Sequence, residues 1–252
     1  MPQLIGPGDL IAVAWENVKK NFRPYGELVI WIVVLSVLQW TLLQISQTMA
    51  GNQLEWLFLY LLMSIPGSLA FLGLTGAMID LTAKGLTNKK IEVRLSIYHG
   101  FRRLLPLLAV SILTSLAIFF GFFFLVIPAL IFFIWFKFAP YHAVVDEMGG
   151  LASMGASRDL VTGRWWAVFL RVFVPVLFFS VAATLAEMLM YLLVGAALGD
   201  IGLFFGEAPD VNSLSRTHTL ITAIIPQAIR GFAVALVLSA EIALWLDLKK
   251  KG

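Results

Sequence analysis

LLPLLAVSILTSLAIFFGFFFLVIPALIFFIWFKFAPYHAVV, from Leu104 to Val145, contains one Lys and no Arg, Asp or Glu. A helix that crosses the hydrocarbon of a bilayer needs about 20 apolar residues in succession. This run is about twice that length, so it reads as two spans. The reversal falls between Gly121 and Pro128, a stretch without charge, which makes the turn tight or places it at the membrane interface.

The same reading extends outward along the chain. Of 252 residues, 60% are hydrophobic and 13% are charged, about half the charged share of a soluble domain. Mean hydropathy is +0.90. A water-soluble fold of this length leaves too much surface wet to hide such a composition, whereas lipid accommodates it. Six spans follow, at 28–46, 56–82, 104–124, 127–145, 166–194 and 218–246. The expectation is an all-α polytopic membrane protein forming a single membrane domain over 1–252. Met1-Pro2-Gln3 has no basic residue and a polar stretch follows, so a cleavable signal peptide is not expected. A net charge of +3 gives no reason to expect nucleic-acid binding, and with 0 Cys the chain has no disulfide, thiolate metal site or thiol nucleophile.

Charge placement sets orientation. Lys19, Lys20, Arg23, Lys84, Lys89, Lys90, Arg94, Arg102, Arg103, Arg158, Arg164, Lys249, Lys250 and Lys251 all fall on one side of a six-span topology. The other side carries Arg216 against Glu55, Asp200, Glu207 and Asp210. Short loops rich in Lys and Arg stay in the cytoplasm. Both termini are therefore expected there, in the inner membrane of a prokaryote.

A pattern recurs three times, in units 8–84, 90–148 and 150–249: a basic segment, then a helical hairpin whose return helix has an Ile-Pro step. The steps are Ile65-Pro66, Ile127-Pro128 and Ile225-Pro226, and the return helices end near Asp80, Asp146 and Asp247. Duplication explains this, and so does the use of Pro to kink membrane helices. Two of the leading segments are amphipathic. Leu10, Ile11, Ala14, Trp15, Val18 and Phe22 share one arc, with Asp9 placed to cap the helix. In the second, Val93, Ile97, Phe101 and Leu104 share a face. Such helices lie in the interface with cations toward anionic headgroups, or else pack on the bundle as connectors. Lys19, Lys20, Arg23, Arg102, Arg103 and Arg164 are the expected anionic-lipid contacts, and membrane lipids the expected partners.

Ionisable groups within spans are functional candidates by default. Here they are Glu187, Arg230, Glu241, Arg171 and Lys137, with Gln227 one turn from Arg230. Glu187 and Arg230 are expected to pair in the outer half, and Glu241 to reach Arg171 or Lys137. They read either as a polar path or as structural pairs that fix helix register. His142 and Asp146, at i and i+4, suit a local hydrogen bond better than a metal, which wants three or four ligands. No cofactor fingerprint or nucleophile motif is present. Gly67, Gly73 and Gly76 make a small-residue face for close packing, and Gly149-Gly150 is expected to end the fourth helix.

Leu125-Val126-Ile127-Pro128, Phe138-Ala139-Pro140, Asp146-Glu147 and Arg158-Asp159-Leu160-Val161-Thr162-Gly163-Arg164-Trp165-Trp166, with the tail Leu246-Asp247-Leu248-Lys249, resemble the membrane domain attached to some glycerophosphoryl diester phosphodiesterases. They also resemble stand-alone six-helix bacterial inner-membrane proteins. The resemblance implies a fold. It does not carry phosphodiesterase activity, because the enzymes of that family use a separate soluble barrel for which this chain has no segment. The expected role is a non-enzymatic scaffold, adaptor or lipid-interacting module, with a transporter or channel as the alternative.

Overall fold

Apolar runs without access to water must satisfy their backbone internally, which selects helices. The computed structural model describes residues 4–49, 51–124, 126–198 and 216–251, and among these the regular elements are helical with no strand. In chain order they are α1 (Pro7–Lys20), α2 (Phe22–Met49), α3 (Gln53–Leu86), α4 (Val93–Arg102), α5 (Leu104–Phe123), α6 (Val126–Trp135), α7 (Ala139–Val144), α8 (Gly150–Val161), α9 (Trp165–Leu198) and α10 (Arg216–Lys251). Among the described residues, six stretches are long and apolar enough to cross a bilayer: Phe22–Leu42, Gln53–Leu86, Leu104–Phe123, Val126–Val144, Trp165–Ala197 and Ile224–Lys251. Asp200, Glu207 and Asp210, expected on the outer side, lie outside the described residues, as do the side chains of Arg216 and His218.

Each long helix packs on its chain neighbour, α2 on α3, α5 on α6 and α9 on α10, while α10 also touches α1, α2 and α3. Two buried clusters form the core. The larger gathers Leu10, Phe138, Val168, Trp245 and Leu248. The smaller gathers Tyr25, Leu28, Met78, Leu81 and Ala235.

The fourth span is not one helix. Pro140 has no N–H to give and its ring crowds the carbonyl four residues back, so the chain breaks between α6 and α7. Ser157 on α8 repairs the break. Its hydroxyl accepts from Phe138 N–H at 3.0 Å and donates to Trp135 C=O at 2.7 Å. Non-helical backbone at membrane depth is tolerated only where protein satisfies it in this way. The three Ile-Pro steps also differ in place. Pro66 and Pro226 lie inside helices, whereas Pro128 lies in the first turn of α6, where an amide hydrogen would have no helical partner anyway.

The amphipathic faces follow the wheel in part. On α1 the buried residues are Leu10, Ala14, Asn17 and Val18, while Trp15 and Phe22 of the expected arc are exposed. The N-cap is Gly6 with no side-chain cap bond; Asp9 sits in the first turn, where its charge meets the positive end of the helix dipole. On α4 the buried residues are Val93, Ser96 and Gly100, and Phe101 is exposed. Close approach explains the difference. A Cβ on Gly100 would lie 2.3 Å from Gly73 O and 2.4 Å from Ala77 N, so the two backbones touch. The expected small-residue face thus serves three neighbours: Gly67 faces Gln39 of α2, Gly73 faces Phe101 of α4, and Gly76 faces Gly100 and Leu107. Gly149 and Gly150 open α8 instead of closing the preceding helix. The reversal before them uses Glu147 at φ 56°, held by Arg103.

Candidate functional site

The ionisable groups of the spans separate into distinct places. The C-terminal half of α9 presents Glu187 to Arg230 in the N-terminal half of α10. Nε donates to Oε1 at 2.8 Å and Nη2 to Oε2 at 3.0 Å, a bidentate contact that fixes direction as well as charge. Gln227, one turn away, joins Ser36, Trp40, Tyr191 and Arg230 around a recess of about 210 Å³.

Glu241 lies nearer the other end of α10 and is 3% exposed. Tyr141 donates its hydroxyl hydrogen to Oε2, and Lys137 Nζ lies 2.9 Å from Oε1. That approach is within ion-pair distance, yet Oε1 accepts no hydrogen bond. The pairing is electrostatic and not directional. Lys137 comes from the break between α6 and α7, and its ammonium also lies 5.4 Å from the Phe133 ring centre. Of the two partners expected for Glu241, Lys137 reaches it. Arg171 does not: its Nε donates to Ile5 O at 2.8 Å and its Nη1 to Ala167 O at 2.9 Å. The N-terminal strap before α1 captures it. Ile5 N–H in turn donates to Asp247 at 3.0 Å, so the strap joins the N-terminal part of α9 to the C-terminal end of α10.

The three acids that end the return helices each take a cation or ring within one turn. Lys84 Nζ lies 2.5 Å from Asp80, and Lys251 Nζ lies 2.7 Å from Asp247. His142 Nδ1 lies 2.7 Å from Asp146, the local bond expected from the spacing. The other ring nitrogen, Nε2, accepts from Trp245 Nε1–H at 3.1 Å, which leaves Nδ1 as the donor to Asp146 in the neutral ring. Lys249 also donates to Asp146, at 2.7 Å.

One buried network escaped the sequence reading. Asn17 donates to Tyr25 Oη at 2.8 Å and to Ser239 Oγ at 3.1 Å; Tyr25 donates to Thr82 Oγ1 at 3.0 Å. Four helices, α1, α2, α3 and α10, meet there. The available signal was Asn17 itself, an amide beside Ala14 and Val18 on the buried side of α1. A buried amide needs partners, and its position announced a junction without naming its members.

Of the expected lipid contacts, Lys19, Arg23 and Arg102 are exposed. Lys20 donates to Asn88 Oδ1 at 2.9 Å, Arg103 binds Glu147, and Arg164 donates from Nε to Leu160 O at 2.8 Å. Compared with known proteins, the chain matches no family model, no curated protein and no solved structure.

Proposed function

We propose that the protein is a non-enzymatic, lipid-interacting scaffold or adaptor module of a prokaryotic inner membrane. Its hairpins are set in the bilayer, its termini are cytoplasmic, and its leading segments rest on anionic headgroups. The observation that supports this reading is a division of labour among charges. Span carboxylates such as Glu187, Glu241 and Asp80 are themselves largely covered and each faces a cation of the same chain, as groups that fix helix register do. Lys19, Arg23 and Arg102, at the basic ends, reach no acid among the described residues. A juxtamembrane cation contributes about 1 kcal/mol of attraction to an anionic leaflet. Kinship with the phosphodiesterase-linked membrane domains, suggested by the motifs within 121–171, belongs to the same proposal.

The test is lipid selectivity in reconstituted bilayers, read by electron spin resonance of spin-labelled phosphatidylglycerol and phosphatidylcholine. The wild type should enrich phosphatidylglycerol in its first lipid shell, and K19Q/R23Q/R102Q or high salt should remove most of that enrichment. Equal association of both lipids with the wild type would refute the reading. The recess beside Gln227 and Arg230 favours transport as the second reading, since Pro-broken helices line sites in transporters. Solute flux in proteoliposomes that is lost in Gln227→Leu would establish it.

A further inference from the structure

Polar side chains inside a span need partners, because hydrocarbon offers none. Three that line the recess of about 210 Å³ between α2, α9 and α10 have none. The side chains of Trp40, Tyr191 and Gln227 make no hydrogen bond among the described residues. Ser36 differs: its hydroxyl donates to Ile32 C=O at 2.8 Å, which leaves it only lone pairs to offer. Along α10, Arg230 stands about 31 Å from Lys251 and about 21 Å from Arg216, at 1.5 Å per residue. The recess therefore lies inside the span, far from the basic tail.

Arg230 gives the recess its sign. Of its five guanidinium hydrogens, one on Nε and one on Nη2 go to Glu187. The other three take no partner among the described residues. The pair is also lopsided. The Arg230 side chain is 60% exposed and that of Glu187 14%, so the cation stands on the open side and the carboxylate on the covered side. A group that enters meets positive charge first. Beside it are the indole N–H of Trp40, which can only donate, the amide of Gln227 and the hydroxyl of Tyr191. Donors outnumber acceptors here. No acid among the described residues lines the recess, so a cation finds nothing to pair with. The volume equals that of roughly seven waters at about 30 Å³ each, enough for a carboxylate or a phosphate group.

We infer that this recess binds an oxyanion, a carboxylate or phosphate group held on the free edge of Arg230 with Trp40 and Gln227 as further donors. The planar fork of an arginine suits two oxygens of one anion. The inference rests on the reading of this recess as a ligand site, which the transport alternative introduced, and it names the ligand's chemistry.

Melting of the full chain in a neutral detergent tests it, with acetate or inorganic phosphate set against chloride at equal ionic strength. A ligand that binds only the folded state raises the melting temperature. Native mass spectrometry supplies a lipid arm, comparing phosphatidylglycerol with a diacylglycerol of the same acyl chains, which lacks the phosphate. A rise with either anion beyond that with chloride assigns the site to a free solute. Preferred retention of phosphatidylglycerol without such a rise assigns it to a lipid headgroup. In the arm that responds, Gln227→Leu and Trp40→Phe should each weaken binding at least ten-fold, with the unliganded melt near wild type. K19Q/R23Q/R102Q should bind as wild type does. No rise with either anion together with equal retention of both lipids would overturn the inference and leave water in the recess. Undiminished binding in a folded Gln227→Leu or Trp40→Phe variant would also overturn it. Oxyanion binding without solute flux would end the transport reading and keep the site. Flux that is lost in Gln227→Leu without oxyanion binding would keep transport and end this inference alone.

Discussion

The two halves of α3 are built for different surroundings. From Gln53 to Pro66 no residue is buried, and Leu54, Phe58 and Leu62 stand open. From Gly73 to Ala83 every residue but Thr75 is buried. The contrast repeats in α10, where Ala240 to Trp245 are all buried and Ile224, Arg230 and Val234 are exposed. One apolar composition thus meets lipid at one end and protein at the other. Hydrophobicity does not distinguish the two ends, because lipid tails are as apolar as leucine. The packed half is distinguished by small residues and satisfied polar groups: Gly73, Gly76 and Gly100 at one crossing, Asn17, Tyr25, Thr82 and Ser239 at another.

Substitutions can break this comparison, most strongly at the buried pair. Glu241→Gln leaves Lys137 facing a neutral amide at low exposure, and removing one partner of a buried pair costs about 3–5 kcal/mol. Thermal unfolding in a fixed detergent should register it as the largest loss of the series. Gly100→Ala should follow. The added methyl meets backbone of α3 on two sides, where overpacking costs about 1–3 kcal/mol. Gly155→Ala, within α8 and with nothing within 4 Å of the added methyl, is the control, and it should raise stability by about 0.5–1 kcal/mol, since a mid-helix Gly is that much worse than Ala.

Ser157→Ala sharpens the comparison at the helix break. It strands Phe138 N–H and Trp135 C=O in the packed half, at about 1–3 kcal/mol for an unsatisfied buried group. Ser157→Thr should restore the melt if the hydroxyl is what matters. At the far end of α10 from Glu241, a double-mutant cycle on Glu187→Gln and Arg230→Gln should show non-additivity, as residues in contact do; purely additive losses would dissolve that pair. The smallest effect belongs to the lipid-facing surface. Leu62→Ala should shift stability by no more than about 0.5 kcal/mol. A loss as large as that of Ser157→Ala would mean that the N-terminal half of α3 is covered.

The spans and the Glu187–Arg230 pair were legible in the sequence because both follow from local rules, the length of an apolar run and the depth of a charge along it. The first span begins six residues earlier than its apolar run, since Phe22-Arg23-Pro24 continues directly from α1 into α2. On α1 three of the four buried residues, Leu10, Ala14 and Val18, belong to the expected arc. On α4 a wheel ranks side chains by hydrophobicity, but the partner helix selected them by size, burying Ser96 and Gly100 and leaving Phe101, which lies against Gly73, partly exposed. Sequence left Arg171 and Lys137 as alternative partners of Glu241 because the acceptors that take Arg171, Leu4 O and Ile5 O, are backbone atoms from the far end of the chain. Backbone carbonyls have no sequence signature. The break at Pro140 was visible as a proline, but its repair by Ser157 joins groups 19 and 22 residues apart, beyond any local pattern.

Sidedness underlies both the packing contrast and the lipid proposal, and the absence of native Cys makes it directly measurable. Single-cysteine variants at Lys89, Lys249 and Gly51 can be probed in right-side-out vesicles with a membrane-impermeant maleimide. The account requires that Gly51→Cys react in intact vesicles and that Lys89→Cys and Lys249→Cys react only after the vesicles are opened. Labelling of Lys89→Cys and Lys249→Cys from opposite faces would contradict it.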